Sequence, residues 1–122
     1  MPRPVHFELP AADPERAARF YTDVFGWTIE KWDGPAEYWL VTTGEEDEPG
    51  INGGIMRPQS PEQATTNTIG VGDLDATVER ATAAGATVVA SRMPIPGMGW
   101  LAYLTDTEGN TFGMMEADSN AA

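Results

Sequence analysis

Val5-His6-Phe7-Glu8-Leu9, followed by Asp13-Pro14-Glu15-Arg16-Ala17-Ala18-Arg19-Phe20-Tyr21 and then Gly26-Trp27, is the stretch whose reading decides the fold. Period-2 alternation in the first run puts His6 and Glu8 on one face of a strand and Val5, Phe7 and Leu9 on the other. In the second run Asp13 is placed to cap a helix, Pro14 to take its first position, Glu15 to sit in its first turn and Gly26 to end it. The spacing predicts that Ala17, Phe20, Tyr21, Val24 and Phe25 share the buried face of that helix. The same pattern returns near Thr68-Ile69-Gly70-Val71, followed by Asp73-Leu74-Asp75-Ala76-Thr77-Val78-Glu79-Arg80 and Gly85-Ala86. There Asp73 is the expected cap, and Leu74, Val78, Ala81 and Thr82 are the inward positions.

Outward from these two openings, residues 27–32 and 38–43 alternate as strands around the turn Asp33-Gly34-Pro35. An acidic loop over 44–50 then leads to a glycine-rich strand over 51–56. Residues 57–63, with Pro58 and Pro61, read as a polar connection. The second copy continues with a strand over 86–93, a loop over 94–99, and a hairpin of 100–104 with 111–116 around Asp106-Thr107-Glu108-Gly109-Asn110. The tail over 117–122 is expected to fray. The expectation is therefore an α+β fold in a single domain over 1–122, built from two βαβββ modules of about 60 residues each. The modules span about 1–57 and 65–118 with a linker over 58–64, and their curved mixed sheets enclose a cavity in which function should be sought.

Composition narrows the partners. The 122 residues carry 19 acidic against 7 basic side chains, a formal charge of −12. Counterion release on nucleic acid needs clustered Lys and Arg, and an acidic field repels phosphates and anionic lipid surfaces alike. No apolar stretch approaches the roughly 20 residues that span a bilayer, and Met1-Pro2-Arg3-Pro4 lacks the apolar region of a secretory signal. Cysteine is absent, which removes disulfides, thiolate metal sites and thiol nucleophiles. A cytoplasmic protein with no nucleic-acid or membrane partner is expected.

The opening strand with its His, the phrase Asp13-Pro14-Glu15-Arg16 leading to Phe20-Tyr21 and Phe25-Gly26-Trp27, Asp73-Leu74-Asp75, Ala84-Gly85-Ala86, and the terminal hairpin Thr105-Asp106-Thr107-Glu108-Gly109-Asn110 resemble the vicinal oxygen chelate superfamily. That group includes glyoxalase I, extradiol dioxygenases, methylmalonyl-CoA epimerases and the fosfomycin and bleomycin resistance proteins. The chain looks most like the small glyoxalase-like proteins of unassigned activity. The resemblance implies four strand positions at which the enzymes hold a divalent metal with His or Glu. His6 fits the first. Gly53 and Gly54 stand at the second, Thr65-Thr66-Asn67-Thr68 at the third, and Gly113 at the fourth, with Glu116 pointing to the opposite face of its strand. No metal cofactor is therefore expected, and His6 is the one metal ligand if there is any.

His6 is the one residue whose ordinary pKa lies near neutrality, so with Glu8 on its face it is the candidate general base; a strand His lining a cavity without chemistry has the same signature. Tyr38, Trp100 and Tyr103 offer aromatic surface to a ligand, with Asn52, Met56 and Met115 beside them as candidate contacts; ordinary core packing would use the same side chains. Arg57 and Arg92, near strand ends, are the cations available to an anionic substrate. The reading is a small-molecule-binding protein, sequestering a neutral or cationic compound, whose alternative is a lyase or isomerase using His6. A homodimer is expected, because curved sheets leave edges and rims that need cover.

Overall fold

The structure, a computed structural model, describes residues 2–122. In chain order the elements are β1 (Arg3–Pro10), α1 (Pro14–Phe25), β2 (Thr28–Lys31), β3 (Trp39–Thr42), β4 (Asn52–Met56), β5 (Thr66–Gly70), α2 (Leu74–Ala83), β6 (Thr87–Ile95), β7 (Gly99–Thr105) and β8 (Thr111–Ala117). The fold is α+β, with βαβββ stated twice. Two compact units contain these elements: His6–Thr66, and Asn67–Ala122 together with residues 2–5.

In the unit His6–Thr66 the strands lie in the order β2, β3, β4, β1; the first three pair antiparallel and β4 pairs parallel with β1. The parallel register sets His6 beside Asn52, Phe7 beside Gly53 and Glu8 beside Gly54. Because neighbours in register share a face, His6, Glu8, Asn52 and Gly54 point one way and Phe7 the other. The second face carries the core: Trp39, Val41 and Ile55, packed by Phe7, Leu9, Ala17, Tyr21, Trp27 and Ile29. Asp13 caps α1 by accepting from the Arg16 amide at 3.1 Å, and Gly26 closes it with φ 73°, a left-handed conformation that glycine adopts without a Cβ penalty.

The other unit repeats this topology in the order β5, β8, β7, β6, with β5 parallel to β8 and the remaining pairs antiparallel. Leu74, Ala102, Leu104 and Met114 form its core on the helix side, joined by Val78, Ala81, Trp100 and Phe112. Asp73 caps α2 through the Ala76 amide at 3.1 Å, and the Leu74 amide donates to Glu116 Oε1 at 2.8 Å. Glu116 thus belongs to the helix face of its strand, away from Gly113, as the spacing predicts.

Four expectations need correction. Phe20, Val24 and Phe25 do not share the buried face of α1; they are exposed, because Pro14, Ala17 and Tyr21 already fill the arc that the sheet can cover. Thr82 is likewise exposed, returning its hydroxyl to the Val78 carbonyl of its own helix. Strand β6 continues through Pro94 to Ile95, where a loop is expected. It is the outer strand of its order and carries register shifts between Val88 and Ala90 and between Ala90 and Met93, so an imide lacking N–H is tolerated there. The C-terminal tail is held rather than frayed: Ala121 is buried and accepts from the Gly97 amide at 2.9 Å, while the Asp118 amide donates to the Met98 carbonyl at 3.0 Å. No helix among the described residues is long and apolar enough to cross a membrane.

Candidate functional site

The residues of chemical interest in His6–Thr66 gather on the face of β1 and β4 away from the core. His6 Nε2 lies 2.7 Å from the Tyr38 hydroxyl, which donates to Glu8 Oε2 at 3.0 Å. Tyr38 sits one residue before β3 and crosses to β1 and β4 because nothing on β4 stops it: a Cβ at Gly54 would overlap the Tyr38 hydroxyl and ring. Gly53, facing the other way, leaves matching room for the Phe7 ring and carbonyl. Two adjacent glycines therefore let a phenol occupy the space above one side of the strand and a phenyl ring the space below it.

The hydrogen bonds fix the protonation of this chain. Tyr38 has one hydroxyl proton, and it goes to Glu8, so the contact with His6 is made by an imidazole Nε2–H donating to the phenol oxygen. Neutral His6 then keeps a lone pair on Nδ1. Burial pushes the His6 pKa below its ordinary 6.5, and the Glu8 carboxylate opposes that shift without cancelling it. Glu8 itself is only 6% exposed, so its carboxylate acts from within a partly dry setting. The His6 and Tyr38 rings are 6.3 Å apart and nearly parallel at 15°, and Trp32 meets Tyr38 edge-on at 6.5 Å.

Asn52 stands beside His6 in register on the same face, but its Oδ1 is engaged by the Thr43 amide at 2.9 Å and so orients the start of the acidic loop. Met56 falls on this face by alternation and is partly buried. Leu40, in register with Gly54 and 37% exposed, joins the same face and is missed by sequence reading; its parity relative to Tyr38 is the signal that could have found it.

The remaining candidates lie in the other unit, and they divide. Tyr103 is in register with Gly113, where an added Cβ would approach Thr68 Oγ1, Tyr103 and Leu101, so these residues share the face away from α2. Met115 follows by alternation and also lines a depression of about 490 Å³ with Arg3, Val5 and Gly70 to Gly72. Trp100 is on the opposite face. It packs against the Leu74 core, donates from Nε1 to Asp118 at 3.0 Å, and carries the Arg92 guanidinium 4.3 Å above its ring. The expectation that Trp100 shares a ligand-facing surface with Tyr103 is corrected by this parity: three residues apart on a strand means opposite faces. The Asn120 amide, the indole and Arg92 together hold the Asp118 carboxyl below the usual carboxylate range.

The donor set does not fit a chelated metal. On the face of His6 and Glu8 the register brings Asn52 and Gly54 alongside, and the place at Gly54 is filled by the Tyr38 phenol. No three or more His, Asp or Glu side chains among the described residues are grouped to hold a metal ion. The two arginines set aside for anions are also engaged: Arg57 with Glu37 at 2.8 Å and the Ala12 carbonyl at 2.8 Å, and Arg92 with Asp75 at 2.9 Å.

Duplicated βαβββ units with a His on the first strand define the glyoxalase and bleomycin-resistance class of folds. The chain belongs to the family described as Glyoxalase-like domain, whose profile matches residues 5–115. It is 33% identical over 109 residues to a glyoxylase-like domain-containing protein of Didymella fabae, covering 85% of each chain. Among solved structures it is similar to methylmalonyl-CoA epimerase from Mycobacterium tuberculosis, with TM-score 0.72, 16% identity, and coverage of 94% of this chain and 87% of that one. A glyoxalase/bleomycin resistance protein/dioxygenase superfamily member from Vibrio splendidus 12B01 superposes with TM-score 0.66 at 16% identity, over 97% of this chain and 100% of the other. At such identities these two likenesses speak for the fold.

Proposed function

We propose that the protein is a cytoplasmic glyoxalase-like binder of small neutral or cationic aromatic compounds, working without a bound metal. The observation that carries this reading is the chain Nε2–H of His6 to Tyr38 to Glu8 on the face bared by Gly54. A neutral imidazole, a phenol ring and a carboxylate offer a flat aromatic surface with negative charge beneath it and no cation to receive an anion. The net charge of −12 acts in the same sense, drawing cations in and repelling anions. Calorimetric titration with phenyltrimethylammonium and with benzenesulfonate tests it: the cation should bind at low salt, the anion should not, and Glu8→Gln should weaken the cation about tenfold. Equal or tighter binding of the sulfonate, or indifference to Glu8→Gln, would overturn the reading.

One observation favours a second reading. The tautomer imposed by Tyr38 leaves the Nδ1 lone pair of His6 as a base, and burial keeps the ring neutral near pH 7. A lyase or isomerase that removes a proton from carbon would use that atom. Deuterium uptake from D2O into a panel of 2-oxo acids, followed by NMR, would show exchange that His6→Gln abolishes; no exchange above the variant's rate rules out this chemistry for the panel.

A further inference from the structure

Trp32 stands just outside β2, yet it belongs to the face of His6 and Glu8. It follows the last pair of the β2–β3 ladder, Lys31 with Trp39, and its amide donates to the Tyr38 carbonyl at 2.7 Å. Trp32 and Tyr38 are therefore turned to the same side, away from the buried Trp39. The Tyr38 ring lies over Gly54 and is within 15° of parallel with the His6 ring that its hydroxyl meets, so the two make a floor. The Trp32 ring rises from that floor at 81°, with centroids 6.5 Å apart, and makes a wall. The wall is fixed. A Cβ at Gly34 would overlap the six-membered ring of Trp32, and Glu37, beside Tyr38, is tied to Arg57, which also donates to the Ala12 carbonyl. Floor and wall are thus set before a ligand arrives.

Shape and charge together select what such a corner holds. A planar ring lies with its face on one of two perpendicular surfaces, whereas a rounded group touches both at once. The faces of indole and phenol are negative, and the Glu8 carboxylate that accepts from Tyr38 adds charge from a buried position, so the rounded group should be a cation. A primary ammonium carries three N–H donors that must keep acceptors when water leaves, and ring faces supply none. A methylated ammonium has no such need. The chain's own ammonium does not take the place, because Lys31 is turned to the other face, 5.3 Å over the Trp39 ring. Resting on the proposal that this face binds cations, we infer that the group recognised is a methylated ammonium head, held in the corner of Tyr38 and Trp32, and that Trp32 sets the specificity.

Calorimetric titration of the full chain at low salt with three matched probes tests this: choline, its uncharged carbon isostere 3,3-dimethylbutan-1-ol, and ethanolamine, which has the charge without the methyl groups. Choline should bind about tenfold more tightly than either of the others. Trp32 lies outside both buried clusters, so Trp32→Leu should keep the wild-type circular dichroism. That variant should weaken choline about tenfold and leave the isostere little changed, so the preference for the cation collapses, and Trp32→Phe should restore most of it. Ethanolamine or the isostere matching choline overturns the inference, as does a choline affinity indifferent to Trp32→Leu. If phenyltrimethylammonium still binds in a Glu8-dependent way, those results remove the corner and leave the broader cation reading standing. If neither methylated cation binds, both fall.

Discussion

In the hydrogen-bonded chain of His6, Tyr38 and Glu8 the histidine sets the pH response. A His whose folded pKa lies below its unfolded value binds fewer protons when folded, so stability rises with pH across the interval between the two values. Here the lowered pKa means that the contribution is complete above about 6.5 and is lost as the pH falls below it, before most carboxylates titrate. Since this is the single His in the chain, His6→Gln should flatten the stability profile just below about pH 6.5 in urea melts, relative to wild type. A wild-type profile already flat there would show that the ring is not desolvated. The shared face of His6 and Glu8 was legible from an i, i+2 spacing. The role of Tyr38 was not, because its hydroxyl reaches across 30 and 32 residues of sequence, and a phenol on a strand end reads only as aromatic surface. Trp100 was misplaced for a related reason: Trp100, Leu101, Ala102, Tyr103 and Leu104 are nonpolar or aromatic on both faces of β7, so alternation leaves no trace in the sequence.

At the scale of elements, caps were the most readable signal and apolar arcs the least. Asp13, Pro14 and Asp73 start both helices where the residues say they should, because side-chain oxygens at those positions satisfy amides that the helix cannot. The five apolar residues of α1 span a wider arc than one sheet can bury, and nothing in the sequence says which part is left out. The link from Glu116 to the Leu74 amide, formed across 42 residues, was outside the reach of local patterns. It holds the first turn of α2 directly above a fully buried Leu74. Glu116→Ala should leave that part-buried amide without its carboxylate and cost about 1–2 kcal/mol, a fall of about 4–8 °C in Tm, with Glu116→Gln recovering most of it. An unchanged Tm in Glu116→Ala would mean that water replaces the carboxylate at no cost.

For the molecule as a whole, the surplus of carboxylates is the dominant long-range term. Only two ion pairs between side chains occur among the described residues, so most of the acidic groups repel one another through solvent. Thermal melts in rising sodium chloride should therefore shift upward, with most of the gain by about 0.15 M, where the screening length is about 8 Å. Sucrose at matched osmolality should not reproduce the steepness of that early rise; if it does, screening is not the cause. The tight fit of Tyr38 over Gly54 has a historical consequence. A lineage that gains any side chain at position 54 must first shed the ring at 38, and one that keeps the ring must keep the glycine. The two sites are heritable as a pair, and among descendants of a common ancestor the combinations of a bulky 38 with a substituted 54 should be missing from the record.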